Sequence, residues 1–269
     1  MPLKAACLLP HSPLLIPEIA KANYSFFKKT TEAYKEIAEK LKEEKIEVLI
    51  ILSPHASLEK KSFQINVAPE MEVNLKDFGF IPPKTFFQGE AVIADKIKES
   101  LEASFPISLS SEPIMDYGSA IPAYLLNLLG LNPKVIVISP ASDLDRESQV
   151  NFGLSLKEII EKQEKNIAVL ASGDLSHRLE KKSPGGYSPK ASKFDNKIIE
   201  ILSEEENALE EIINLDNKLT NETAECALSP ITTLLGVLKG EKFNSDILAY
   251  QTEFGVGYLS VNFEIKNKE

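Results

Sequence analysis

The chain has 269 residues, with 30 Lys and Arg against 40 Asp and Glu and a formal net charge of −10. Hydrophobic residues make up 43% and charged residues 26%, which excludes a disordered or collagen-like chain and is enough apolar material for one large core. The acidic balance opposes attraction to nucleic-acid phosphates and anionic membrane surfaces, and no uncharged apolar run approaches the roughly 18–20 residues of a bilayer span, so neither nucleic acid nor membrane is expected as a partner.

Residues 4–9 read as a strand. Residues 25–45 carry Phe26, Phe27, Ala33, Ile37 and Leu41 at helical spacing among Lys and Glu, and predict a helix with a solvated face. Residues 47–52 (EVLIIL) are apolar without alternation, the pattern of a strand covered on both faces. Residues 62–67 alternate and predict a strand with one exposed face. Residues 68–88, with three prolines, read as an irregular excursion or short hairpin. Helices are predicted over 89–103, 118–129 and 144–162, and buried strands over 134–139 (KVIVIS) and 166–172 (NIAVLAS). A polar loop over 178–192 precedes helices at 193–202, 204–213 and 220–239, the last with Pro230 inside it and a kink expected near Ser229. Residues 246–252 and 257–264 close the chain as a hairpin. Strands alternating with helices predict a single α/β domain over 1–269, its mixed, mostly parallel central sheet flanked by helices and ending in a C-terminal β-hairpin.

Two cysteines, Cys7 and Cys226, are too few for a disulfide framework, and with a poor secretory signal at the start they make a reducing cytoplasm the expected compartment. Gly185-Gly186 reads as a flexible turn, since it neither follows a strand nor leads to the Lys-Ser/Thr of a phosphate-binding loop. Asp116 is placed to cap the helix beginning at Gly118.

The three histidines of the chain, His11, His55 and His177, each follow an apolar strand-like run. In open α/β sheets ligands collect just beyond the carboxyl ends of the strands, so the three imidazoles are expected on one edge of one sheet. Pro10 and Pro54 restrict the backbone before His11 and His55 and help to aim them. Two imidazoles with a carboxylate and open positions suit Fe(II) and O2, with the remaining imidazole free to act as acid or base near neutral pH. Three imidazoles on one ion would instead suit hydrolytic zinc, and residue types alone leave both arrangements open. Asp174, in Ser172-Gly173-Asp174-Leu175-Ser176-His177, either positions His177 or caps its loop.

These segments together resemble a known family. Pro10-His11-Ser12-Pro13, Ser53-Pro54-His55, Asp116-Tyr117-Gly118 with Ile121-Pro122, Gly173-Asp174-Leu175-Ser176-His177, Phe194-Asp195, Glu225-Cys226-Ala227-Leu228-Ser229-Pro230 and Phe254-Gly255-Val256-Gly257-Tyr258 occur in the order and spacing of the class III extradiol ring-cleavage dioxygenases. They are most similar to the AmmeMemoRadiSam-system and Memo-like members. The resemblance implies a non-haem Fe(II) oxidoreductase that opens a catecholic aromatic substrate with O2. His11, His55 and Glu225 would be metal ligands, with Glu222 the alternative to Glu225. His177 would be the catalytic acid/base, Tyr117 and Asp174 would face the substrate, and association into homo-oligomers is implied by analogy.

The sequence departs from that pattern at three places. The family's Asp-His-Gly is Asp116-Tyr117-Gly118, and a phenol donates a hydrogen bond but does not shuttle protons near pH 7. The usual Cys-Gly after the glutamate is Cys226-Ala227. In Memo-like relatives a cysteine near this place belongs to the metal site, which would favour copper or zinc over iron and a protein without ring-cleavage activity. A metal-free binding protein on the same scaffold is the third reading.

Overall fold

The apolar runs that lack alternation form the middle of the sheet. The computed structural model describes residues 1–204 and 207–266. Along them run β1 (Leu3–Leu9), α1 (Pro17–Ala20), α2 (Lys28–Glu43), β2 (Val48–Leu52), β3 (Phe63–Asn66), β4 (Glu70–Glu72), β5 (Phe86–Gln88), α3 (Ala91–Leu101), β6 (Ile107–Ser110), α4 (Tyr117–Leu128), β7 (Lys134–Ser139), α5 (Arg146–Ile160) and β8 (Ile167–Ser172). They are followed by α6 (Ala191–Ser203), α7 (Ala208–Ile213), α8 (Asn217–Thr220), α9 (Leu228–Leu238), β9 (Phe243–Gln251) and β10 (Tyr258–Ile265). Eight strands make one sheet in the order β6-β3-β7-β2-β8-β1-β10-β9. Strands β7, β2, β8 and β1 are parallel neighbours; β3 runs antiparallel to β7, and β10 to both β1 and β9.

Both faces of the central strands are covered, which is why their sequences do not alternate. Val48, Ile50 and Leu52 of β2 join one apolar layer with Phe152 of α5, Phe194 of α6 and Leu234 of α9. Leu49 and Ile51 join the opposite layer with Tyr34 and Ile37 of α2 and Ile121 of α4. Cys7 faces this second layer inside β1. The final hairpin forms as expected, with β9 paired antiparallel to β10.

Three local expectations change, and one left open between two forms is settled. Strand β6 was not expected; Ile107–Ser110 is short and only partly buried, so its pattern is faint, and pairing with β3 makes it a strand. The stretch at 68–88, expected as an irregular excursion or a short hairpin, contains the small antiparallel pair β4–β5. The helix predicted from residue 25 begins at Lys28, after a 3-10 stretch over Lys21–Phe27. The long helix predicted over 220–239 is short α8, a loop and then α9, with Ala224 at φ 53° interrupting it. Pro230 therefore lies in the first turn of α9, where no backbone N–H is needed, and causes no kink. Positions 205 and 206 of the helix predicted over 204–213 lie outside the described residues.

Candidate metal centre

Strands β1 and β2 flank β8, so the segments carrying His11 and His55 emerge on either side of the end of β8. The His11 segment is pinned at two points. Tyr34 of α2 donates to the Pro10 carbonyl at 2.6 Å, and the Asp174 carboxylate accepts the His11 backbone N–H at 3.1 Å. The His55 segment is tied through Ser53, whose hydroxyl donates to Asp116 at 2.6 Å. Asp116 is the N-cap of α4, as expected, accepting from the Ser119 N–H. Gly118 allows the approach of these parts, since a Cβ there would lie 2.5 Å from Ser53 Oγ and 3.1 Å from His55 Cδ2.

The two imidazoles meet with centroids 5.0 Å apart and planes at 70°. Cys226 reaches the same point from the loop after α8. Its Sγ lies 3.4 Å from His11 Nε2 and accepts the Asp174 N–H at 3.3 Å, while its own N–H donates to the Asp174 carbonyl at 3.1 Å. One donor atom from each of His11, His55 and Cys226 lies within 4.8 Å of the others. Nitrogen and sulfur ligands held about 2.0–2.3 Å from one ion at tetrahedral angles stand roughly 3.5 Å apart, the spacing of the His11–Cys226 pair, so the cluster could hold a single transition-metal ion.

Cys226 occupies the place expected for Glu225. The Glu225 carboxylate turns to the start of α9, accepting the Leu228 N–H at 2.7 Å, and lines a different, polar cavity with Arg146 and Gln149. The alternative, Glu222, is exposed and paired with Lys190 at 2.7 Å. The reason is local. The positive φ at Ala224 breaks the helix that would have projected a glutamate inward, and the two residues after it face opposite ways. Asp174 was expected to face a substrate; its carboxylate instead holds His11, and its backbone holds Cys226.

His177 lies near enough to both other imidazoles to depress their basicity. Its backbone N–H donates to the Thr223 carbonyl at 2.9 Å, so the segment after β8 and the cysteine loop are stitched together. Its Nδ1 is buried without a hydrogen-bond partner among the described residues. Tyr117 stacks on the His55 ring at 4.3 Å between centroids, with its hydroxyl 2.7 Å from His55 Nε2. Phe78, from the excursion between β4 and β5, packs edge-on against Tyr117 at 5.5 Å. The 178–192 loop folds back on His177, with the Gly185 N–H on the His177 carbonyl.

Electrostatics favour the uncharged forms of these groups. Burial first, and then His55 and His177, hold His11 well below the usual imidazole range. Burial lowers His55 as well, against the pull of Asp116. It lowers His177, with the neighbouring Leu175 and Ala224 backbone acting in the opposite sense. Burial pushes the Cys226 thiol and the Tyr117 phenol up, Asp174 adding to both, and pushes the Asp174 carboxyl up to about 7. Two neutral imidazoles beside a thiol that loses its proton to a metal form a soft donor set.

Ser172 was not singled out from the sequence. It is fully buried at the end of β8, with its hydroxyl 2.9 Å from His11 Nδ1 and donating to the Gly118 carbonyl. The signal was present in Pro122, four residues after Gly118, which withholds the N–H that a helix would aim at that carbonyl.

Comparison with known proteins bears on the family and the fold. Protein CA_C1420 of Clostridium acetobutylicum is 29% identical over 274 residues, which is 98% of this chain; the chain spans 58% of that protein's length. The crystal structure of the uncharacterized protein JW3007 from Escherichia coli K12 has the same fold, with a TM-score of 0.69 at 18% identity over 96% of this chain and 99% of the other. The family described as the catalytic LigB subunit of aromatic ring-opening dioxygenase matches residues 5–260. With the family model matching residues 5–260, nearly its whole length, the chain belongs to the LigB family.

Proposed function

We propose that this protein binds one transition-metal ion through His11, His55 and Cys226, in the manner expected of a Memo-like member of the family. The observation that carries the reading is the approach of Cys226 to the two imidazoles. A thiolate with two imidazoles favours zinc or copper, and also accommodates iron. Such an ion, when bound, supplies Lewis acidity, and copper or iron adds one-electron chemistry.

The chain's own groups have definite tasks in this reading. Asp174 steadies the sulfur through its backbone N–H and the His11 backbone through its carboxylate. His177, neutral near pH 7, accepts a proton from a ligand hydroxyl. Tyr117, held protonated, offers its O–H to a ligand oxygen. Phe78 and Tyr117 supply an aromatic wall against which a flat ring packs.

A second reading is Fe(II)-dependent extradiol cleavage of a catecholic substrate with O2. The family membership favours it, as does His177 Nδ1, which has no hydrogen-bond partner among the described residues and lies beside the ligand pair. Metal analysis of untagged protein separates the two. Copper or zinc near one equivalent per chain, lost in Cys226→Ala, supports the first reading. Iron near one equivalent with O2 consumption over a panel of catechols supports the second. Protein that takes up none of the three metals sinks both.

A further inference from the structure

We propose that Ser172 is a positioning residue that fixes the His11 ring as the Nδ1–H tautomer, leaving the Nε2 lone pair directed at the metal position. The inference rests on the metal-binding reading above but starts from a proton count that does not need a metal. A serine hydroxyl carries one proton, and a carbonyl only accepts. The Ser172 Oγ lies against two partners, the Gly118 carbonyl and His11 Nδ1 at 2.9 Å. Its proton is committed to the carbonyl, so its oxygen must accept from Nδ1–H. A neutral imidazole has a single ring proton, so Nε2 is bare, and Nε2 is the atom that stands 3.4 Å from Cys226 Sγ.

The commitment of the serine proton follows from Pro122. In an uninterrupted helix the N–H of residue 122 would serve the carbonyl of residue 118. Pro122 has no N–H, so the Gly118 carbonyl, inside a buried first turn, takes its hydrogen bond from Ser172 instead. The sheet completes the device. Ser172 follows Ala168 and Leu170 on the same side of β8, the side packed by α4, so the hydroxyl meets the helix carbonyl and the His11 ring together. The proline in α4 thus sets the hydrogen-bond polarity of a ligand 111 positions away in sequence, a second-sphere control of the kind that tunes metal affinity.

The direct test is long-range 1H–15N correlation spectroscopy on metal-free protein labelled at its three histidines, with His11→Gln assigning the His11 ring. The expected pattern for His11 is a protonated Nδ1 and a pyridine-like Nε2; an Nε2–H ring overturns the proposal. In Ser172→Ala the ring is expected to lose that pattern, and zinc affinity measured against a competing chelator is expected to fall about 10–100-fold with the stoichiometry unchanged. A variant that keeps both the tautomer and the affinity also overturns it. If Ser172→Ala does not fold, the wild-type spectrum alone decides. Wild-type protein that binds no zinc, copper or iron refutes the metal-binding reading, while the metal-free spectrum still decides the role of Ser172.

Discussion

The candidate metal cluster is supported in two different ways. His11 and His55 leave the ends of β1 and β2, strands buried on both faces among aliphatic side chains. Cys226 comes from residues 221–227, a loop held by polar contacts: His177 N–H and Ser176 Oγ on the Thr223 carbonyl, Cys226 N–H on Asp174, and Leu228 N–H on Glu225. Apolar packing against a sheet is insensitive to pH and resists local opening, whereas a loop held by hydrogen bonds opens more readily. The proposed third ligand is therefore the adjustable one, and the neighbours Glu225 and Cys226 divide the work, one anchoring the loop and the other completing the cluster.

The largest effect that tests this division is on metal binding. Cys226→Ala is expected to weaken zinc or copper by more than about 100-fold, beyond what loss of an outer-sphere partner costs. Glu225→Gln should leave affinity within a few-fold. Chelator competition on the two variants reads the difference. A variant pair with the opposite ranking would return Glu225 to the ligand set.

The next effect concerns the polar support. Asp195 of α6 is fully buried, accepts the Ser176 N–H at 2.9 Å and the Tyr250 hydroxyl at 2.8 Å, and so anchors the segment that carries His177. Burial pushes its carboxyl up to about 6, from an ordinary value of 3.8. A folded-state value above the unfolded one means that the folded protein holds the proton more tightly. The stability contributed by this group is complete below about pH 4 and is lost as the pH rises through about 6. At 1.36 kcal/mol per unit the change is on the order of 2–3 kcal/mol. Asp195→Asn removes the titration while keeping an acceptor for Ser176, so its stability relative to wild type should rise between pH 4 and 6 in denaturant titrations. Parallel profiles for the two proteins would refute this.

A smaller effect probes the contact between the two supports. Gly173, just past β8, lies so close to the loop that an added Cβ would stand 2.4 Å from Ala227 Cα and 2.6 Å from its Cβ. Gly173→Ala should cost about 1–3 kcal/mol by overpacking and weaken metal binding, because the loop must retreat. Ala68 and Pro69 backbone atoms crowd Gly89 in the same way, far from Cys226 and His11 in sequence. Gly89→Ala should therefore destabilise without altering metal affinity, and a matched loss of affinity in both variants would show that the effect is global.

How far the sequence could be read follows the same line between supports. Unbroken runs such as residues 47–52 and 134–139 announce strands covered on two faces, and a histidine just past such a run has few places to go. The convergence of His11 and His55 was legible for that reason. Cys226 was legible only as an alternative, because a helical pattern over 220–239 runs straight through the break. Nothing in the residue type of Ala224 announces a positive φ; the conformation is imposed by the contacts of Thr223 and Cys226 with the segment after β8. Ser172 was hidden for a different reason. Its role depends on a carbonyl freed by a proline on another element, a relation that exists only once α4 lies against β8.

The smallest prediction returns to the pair of neighbours. Helix α9 starts without a side-chain bond from its own N-cap residue, Ala227, and its first N–H, that of Leu228, is served by Glu225 from farther back along the chain. Removing the acceptor in Glu225→Ala leaves that donor unpaired and also removes a carboxyl, pushed by burial up to about 7 and so partly ionised near neutral pH, from the positive end of a helix. Both changes act on folding rather than on the ligand atoms, and together they should cost about 1 kcal/mol. Zinc leaves this cost unchanged, because an ion that binds only the folded chain adds the same stabilisation to wild type and variant when their affinities are equal. The difference in unfolding free energy should therefore be the same with and without saturating zinc. A difference that widens with zinc would mean that Glu225 reaches the ion after all, and the loop would then be supported by the metal rather than by the start of α9.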